Sequence, residues 1–169
     1  RLIAAEIERL AKSDAPVIAA GSTGSMPATA DLLAAIARLP QGAVVLPGLD
    51  TDLDDAAWDA IAGDAAAPAH DGGIPAFAHP QFALHGLLRR IGILRRDVAR
   101  LGTPASHGRD ALLSQALRPA ATTERWRDWL GQPQVAEHRA QAMRGVTVIE
   151  AATADEEALA IAVALRETA

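Results

Sequence analysis

The chain contains no cysteine, no tyrosine and only one lysine, Lys12, among its 169 residues. Without cysteine it holds no disulfide, thiolate zinc site or iron–sulfur cluster of its own. A complete P-loop needs a lysine directly after its last glycine, and the Asp…Asp/Glu-x-Lys nuclease pattern needs one two residues after an acid. Lys12 meets neither requirement, because Ala11 precedes it and Leu10 stands two residues before it. A complete ATPase or nuclease site is therefore excluded within this chain.

The charge balance is acidic, with a formal net charge of −5. The chain as a whole therefore has no basic field to attract nucleic acid. Its arginines are clustered, which leaves two interpretations open: a local basic face, or an ordinary solvated helix face. The clustered arginines are Arg89, Arg90, Arg95, Arg96, Arg100, Arg118, Arg125 and Arg127.

No apolar run approaches the ~20 residues that a membrane-spanning helix needs. The N-terminus also lacks the basic and apolar segments of a signal peptide. We therefore expect a cytoplasmic protein that makes no contact with a membrane. The first residue is Arg1, and the chain begins and ends inside helical patterns. We expect it to be a piece of a longer polypeptide.

Short continuous apolar runs are typical of buried parallel strands. Three such runs occur, at Val17–Ala20, Ala43–Leu46 and Val146–Ile149. Between the first two, apolar residues recur at helical spacing over residues 28–39, and Ser25 is the expected N-cap. A strand, a helix and a strand in this order predict a βαβ unit. The fold class is therefore α/β, with a small parallel sheet.

The pattern divides the chain into three parts. Residues 1–50 hold the βαβ unit, residues 51–144 form a mainly helical insertion, and residues 145–169 hold a third strand and a final helix. Thr153 or Asp155 is the expected cap of that final helix. Within the insertion, residues 64–78 predict an exposed loop, and the helices are expected over 54–62, 80–91, 95–101, 106–117, 122–130 and 135–143.

A glycine-rich segment between the first strand and the first core helix is the main candidate site. Glycine reaches positive φ at little cost, and free N–H groups at a helix start favour an anion. The segment is either a structural turn or a contact for a phosphate or a nucleic-acid backbone. The candidate binding residues are Gly21, Ser22, Thr23, Gly24, Ser25 and Thr29.

Few other residues suggest chemistry. Asp50 follows the second predicted strand, where α/β proteins often place functional acids. Its neighbours Asp52 and Asp54 match the start of an EF-hand loop, but glycine and glutamate are missing at the required later positions. Asp54 is instead expected to cap a helix. His79 is expected to cap a helix that Pro80 starts, rather than to be catalytic. We assign no catalytic residue and no metal site.

Several motifs, taken together and in order, resemble the AddB subunits of bacterial helicase–nucleases. The resemblance covers about residues 16–169. The motifs are Gly21-Ser22-Thr23-Gly24-Ser25, Pro27-Ala28-Thr29, Leu32-Leu33, the stretch from Gly42 to Asp50, His79-Pro80-Gln81, Arg96-Asp97-Val98 and Glu156-Glu157-Ala158 with Ile161-Ala162.

The resemblance implies a partner and a process. AddB subunits pair with AddA-like helicase–nuclease subunits and process DNA double-strand breaks for recombination. They carry a superfamily-1 helicase-like, RecA-like portion whose ATP site is commonly degenerate, and a nuclease domain with an iron–sulfur cluster. This chain is then expected to be a non-catalytic part of the helicase-like portion. ATP, Mg²⁺, single- or double-stranded DNA and the cluster belong to the complex rather than to this segment.

Two alternatives stay open at this point. The first is a small α/β enzyme domain that binds a phosphorylated ligand at the glycine-rich segment. The second is a pure protein-interaction module.

Overall fold

The computed structural model describes residues 2–63, 73–103 and 107–168. Within them the strands are β1 (Val17–Ala20) and β2 (Gly42–Val45). The helices in chain order are α1 (Leu2–Leu10), α2 (Pro27–Ile36), α3 (Asp55–Ala62), α4 (Phe82–Ile91), α5 (Arg109–Ala116), α6 (Arg125–Leu130), α7 (Val135–Ala142) and α8 (Ala154–Thr168). Most of the loop predicted over residues 64–78 lies outside the described residues. No described helix combines the length and apolar character that a bilayer span needs.

β1 and β2 pair in parallel, with Val17 opposite Gly42 and Ala20 opposite Val45. Because α2 connects them, they form the predicted βαβ unit, and the protein is of mixed α/β class. Ala19 and Val44 lie on the face that packs against the core. The other face is open, and Ile18 on β1 is 68% exposed. Parallel sheets usually have both faces covered, so this sheet is only half enclosed by the described residues.

Helix α4 lies at the centre of the apolar core. Leu84, Leu87 and Leu88 follow helical spacing, share one face and are at most 2% exposed. Leu87 packs with Leu33 of α2, whereas Leu88 packs with Trp58 of α3. The same helix face thus joins the βαβ unit to the helices that follow it in the chain.

The predicted third strand is not formed. Residues 146–150 have no regular secondary structure, and Val148 and Ile149 are 80% and 65% exposed. An apolar run becomes a strand only when a neighbouring strand supplies hydrogen bonds and packing, and among the described residues β1 and β2 pair only with each other. The helix after this segment does form, and Thr153 Oγ accepts the N–H of Glu156 (3.2 Å) as its predicted cap.

The helix predicted over residues 95–101 is wrong beyond its first turn. A single turn of 3-10 helix covers Arg95–Asp97, and the chain then continues without regular structure. Arg95 donates to the carbonyl oxygen of Asp50 (3.2 Å), and Asp97 accepts the N–H of Leu94 (3.2 Å). These contacts hold the turn in a tight form, and tertiary contacts commonly override local helical preference.

Candidate phosphate-binding loop

The glycine loop, residues 21–26, leads from β1 into α2. Gly21 extends the sheet by one bond, since its N–H donates to the carbonyl oxygen of Val45 (3.1 Å). The backbone φ is +81° at Gly21 and +66° at Gly24. Side chains are strained in this left-handed region. Both glycines are therefore required by the path of the loop.

Gly24 also anchors the loop on the core. It is buried, and a Cβ atom at this position would lie 3.3 Å from Leu87 Cδ2 and 3.4 Å from Ala30 Cα. Ser22 Oγ accepts the N–H of Gly24 (3.3 Å), which closes a local turn. The loop is thus held in one shape by packing on α4 and by its own hydroxyl group.

The start of α2 leaves backbone donors free. Met26 occupies the N-cap position and Pro27 the first helical position, so the predicted Ser25 cap is wrong: its hydroxyl group lies one residue too early. The first helical bond runs from the N–H of Ala30 to the carbonyl oxygen of Met26 (2.9 Å). The N–H groups of Ala28 and Thr29 have no partner within the described residues. Free donors at a helix start favour an anion.

Three candidate residues that carry hydroxyl groups, Thr23, Ser25 and Thr29, lie close to this helix start in the sequence. Ser25 is exposed, while Thr23 and Thr29 are partly buried. None of these side chains makes a hydrogen bond in the part of the chain that the structure describes. They are available to a ligand, whereas Ser22 is used by the loop itself.

A cation that the sequence did not assign to this site contacts the first turn of α2. Arg90 Nη1 donates to the carbonyl oxygen of Pro27 (3.1 Å) and to Asp31 Oδ1 (2.6 Å). The Arg90 side chain is 42% exposed, so it remains open to solvent. Arg90 and Asp31 are 59 positions apart, and no local pattern indicates a contact over that separation.

Most of the clustered arginines stabilise the fold. Arg118, with a side chain only 4% exposed, pairs with Asp54 Oδ2 (2.6 Å), and Arg100 donates to Thr51 Oγ1 (3.0 Å). Arg125 lies 3.4 Å from the same Asp54 oxygen. Among the described residues, the clustered arginine side chains with neither a hydrogen bond nor an ion pair are those of Arg89, Arg96 and Arg127. Most of the cluster is therefore engaged within the fold, and these three side chains keep their hydrogen-bonding capacity.

Asp50 shapes the backbone after β2. Its Oδ1 accepts the N–H groups of Asp52 and Leu53, each at 2.9 Å, and its own N–H donates to Gln81 Oε1 (3.0 Å). It lines a cavity of about 680 Å³ that includes none of residues 21–29. The structure thus gives Asp50 a local structural role and does not bring it to the glycine loop.

His79 holds two segments together. Its Nδ1 accepts the N–H of Gln81 (3.1 Å), so Nε2 carries the proton that bonds the carbonyl oxygen of Leu117 (2.6 Å). Gln81 Nε2 in turn donates to the carbonyl oxygen of Gly48 (2.9 Å). His79 thus has a structural role, because both ring nitrogens are used within the fold. The predicted cap is wrong, since Gln81 occupies the N-cap position of α4. Asp54 is confirmed as a helix cap, since Oδ1 accepts the N–H of Ala57 (3.0 Å).

Comparison of the chain with protein-family models, with curated proteins and with solved structures gave no match. Within the described residues, no group of His, Asp or Glu is arranged to hold a metal ion. The geometry of the glycine loop and the order of the motifs are therefore the grounds on which a function is proposed.

Proposed function

We propose that this chain is a non-catalytic, helicase-like segment of an AddB-type subunit, which acts with an AddA-like partner on DNA double-strand breaks. One observation carries the proposal: a glycine loop joins a parallel strand to a helix whose first N–H groups, at Ala28 and Thr29, are free. This arrangement suits a phosphate group. The loop lacks the lysine that ATP turnover requires at such a site.

The role of the loop is to position a DNA strand through its backbone. Two free N–H groups and nearby hydroxyl groups match the acceptor oxygens of one phosphodiester, and contacts of this kind fix position without reading sequence. The start of α2 is open to solvent, since Ala28 is exposed. Arg90, already bonded to Pro27 and Asp31, adds positive charge beside the helix start.

The apolar surface supports a role within a larger assembly. Ile18 lies on the open face of the sheet, and α8 has no buried residue, with Leu159 and Leu165 65% and 66% exposed. Exposed apolar side chains of this kind are the residues that we propose contact a partner. The AddA-like subunit, or another part of the same assembly, is the proposed partner for this surface.

The DNA contact is tested with Ala28→Glu and its neutral control Ala28→Gln. Ala28 is exposed at the start of α2, and a carboxylate there compensates the helix dipole while it repels phosphate. Binding of a labelled oligothymidine is measured by fluorescence anisotropy between about 50 and 200 mM NaCl. We expect a shallow salt slope for the wild type, a loss of affinity of about tenfold or more for Ala28→Glu, and little change for Ala28→Gln.

Other outcomes identify the alternatives. Binding of a sugar phosphate or nucleotide at the loop, without any DNA binding, favours the small enzyme domain. If neither DNA nor a phosphorylated ligand binds at the loop, the chain acts as an interaction module and the proposed DNA contact is wrong.

A further inference from the structure

A cavity distinct from the glycine loop lies between α3, α4 and the turn around residues 93–96. Its volume is about 560 Å³, within the range of small-molecule sites. None of residues 21–29 lines it. The lining side chains that matter here are Trp58, Asp59, His85, Arg89, Arg95 and Arg96.

One wall of the cavity is lined by planar groups that lie close together, with the Trp58 and His85 rings tilted by 36°. The ring centroids of Trp58 and His85 are 5.0 Å apart, and the Arg95 guanidinium lies 4.9 Å from the Trp58 ring. Arg95 is held there by Asp55 Oδ1 (3.0 Å), and its side chain is only 11% exposed. This cation is therefore preorganised before any ligand arrives.

His85 has unused hydrogen-bonding capacity at the cavity. It is 9% exposed and makes no side-chain hydrogen bond within the described residues. Buried polar groups normally have a partner. Among the described residues, Ser114 Oγ is the one side-chain atom fully shielded from solvent without a partner, so the His85 nitrogens are still reached by solvent. His85 is also one of the residues that line this cavity.

The groups around His85 favour a ligand that has a negatively charged group and a neutral part able to form hydrogen bonds. Burial, and then the nearby Arg89, lower the pKa of His85 below its ordinary value, while Asp59 opposes this. The imidazole is therefore neutral at pH 7 and offers one donor and one acceptor. Arg89 and Arg96 have no side-chain partner among the described residues. Arginine binds phosphate oxygens in a forked geometry.

We propose that this cavity binds a nucleoside monophosphate unit, either as a free nucleotide or as one residue of a single strand. Arg89 and Arg96 hold the phosphate, and His85 and Asp59 meet the polar edge of the base. Ile93 and Leu94, which are 39% and 54% exposed, supply an apolar wall for the base. The proposal does not depend on the glycine loop.

The test follows the imidazole resonances of His85 by NMR while dAMP, inorganic phosphate or an oligothymidine is added to the full chain. We expect saturable shifts with dAMP, and an affinity for inorganic phosphate that is weaker by about tenfold. Arg89→Gln and Arg96→Gln should each weaken dAMP binding by about fivefold or more. The control Arg127→Gln removes the same charge from α6, outside the cavity, and should bind like the wild type.

Comparison of these ligands distinguishes a free nucleotide from a residue of a single strand, and its results can overturn the proposal. An oligothymidine that shifts His85 and competes with dAMP identifies a strand residue, and one that leaves His85 unmoved identifies the free nucleotide. The proposal is wrong if His85 does not respond to dAMP up to about 10 mM, if phosphate binds as tightly as dAMP, or if all three arginine variants bind alike. Ala28→Glu should keep the dAMP response, so a failure at the loop is distinguishable from a failure here.

Discussion

At the scale of single residues, Gly24 connects the candidate site to the core. Its φ of +66° places it in the left-handed region, and its Cα faces Leu87 and Ala30. Gly21 has a similar φ but open space around it, and Gly86 within α4 has open space and no positive φ. Substitution of these three glycines therefore distinguishes the cost of backbone strain from the cost of a packing clash.

Gly24→Ala should lower the free energy of unfolding by about 2 kcal/mol, because strain and a tight contact with Leu87 add together. Gly21→Ala should cost about 1 kcal/mol from strain alone. Gly86→Ala should instead stabilise the protein by about 0.5–1 kcal/mol. Urea unfolding of the three variants measures this order, and a Gly24→Ala cost no larger than that of Gly21→Ala would contradict the packing role.

Asp54 makes stability depend on pH. Partial burial raises its pKa, but the N–H of Ala57 and the guanidinium of Arg118, with Arg125 behind it, outweigh burial and hold the pKa below its ordinary value. A lowered folded-state pKa means that the stabilisation is complete at neutral pH. It is lost as the pH falls from about 4 through the folded-state value.

Asp54→Asn keeps a good N-cap but removes the charge that Arg118 needs. It should lower the free energy of unfolding by about 1–3 kcal/mol at pH 7, since Arg118 is nearly buried. The difference from the wild type should shrink as the pH is lowered toward about 3. Urea unfolding at several pH values measures this, and a difference independent of pH would show that the ion pair is not the cause.

At the scale of elements, local pattern predicts those parts whose partners are close in sequence. The apolar runs of β1 and β2 and the pattern over residues 80–91 led to the correct element types, because burial dictates each pattern. The turn at Arg95 depends on Asp50 and Asp55, which are 45 and 40 positions away. Contacts at such separations leave no periodic signal in the sequence. The same is true of the contact between Arg90 and the start of α2.

The segment at residues 146–149 shows what local pattern does not predict. Its composition is that of a buried strand, but the described residues supply no strand beside it. The same holds for α8, whose apolar residues are exposed. Sequence pattern reports that a segment suits burial, and it does not report which surface buries it.

Leu159→Asp in α8 should therefore change the free energy of unfolding by less than about 0.5 kcal/mol. Leu84→Ala in α4 is the matched core substitution and should cost about 2–5 kcal/mol, because Leu84 is 1% exposed. Thermal or urea unfolding measures both variants. A cost for Leu159→Asp comparable to that of Leu84→Ala would mean that α8 packs within this chain rather than on a partner.

At the scale of the whole molecule, little long-range attraction for DNA remains. The net charge is −5, and most of the clustered arginines form contacts within the fold. Any strand contact must then come from a few oriented donors. The N–H groups of Ala28 and Thr29 supply such donors at the start of α2, directly after the loop that Gly24 anchors on the core. We therefore propose that this segment positions a strand and that turnover belongs to other parts of the assembly.

The most direct test of this account is an amide NMR titration of the chain with an oligothymidine at about 50 mM NaCl. We expect the amide resonances of Gly24, Ala28 and Thr29 to shift together and saturate, and Ala28→Glu to abolish these shifts. Strand binding that leaves the Ala28 and Thr29 amides unmoved would contradict it.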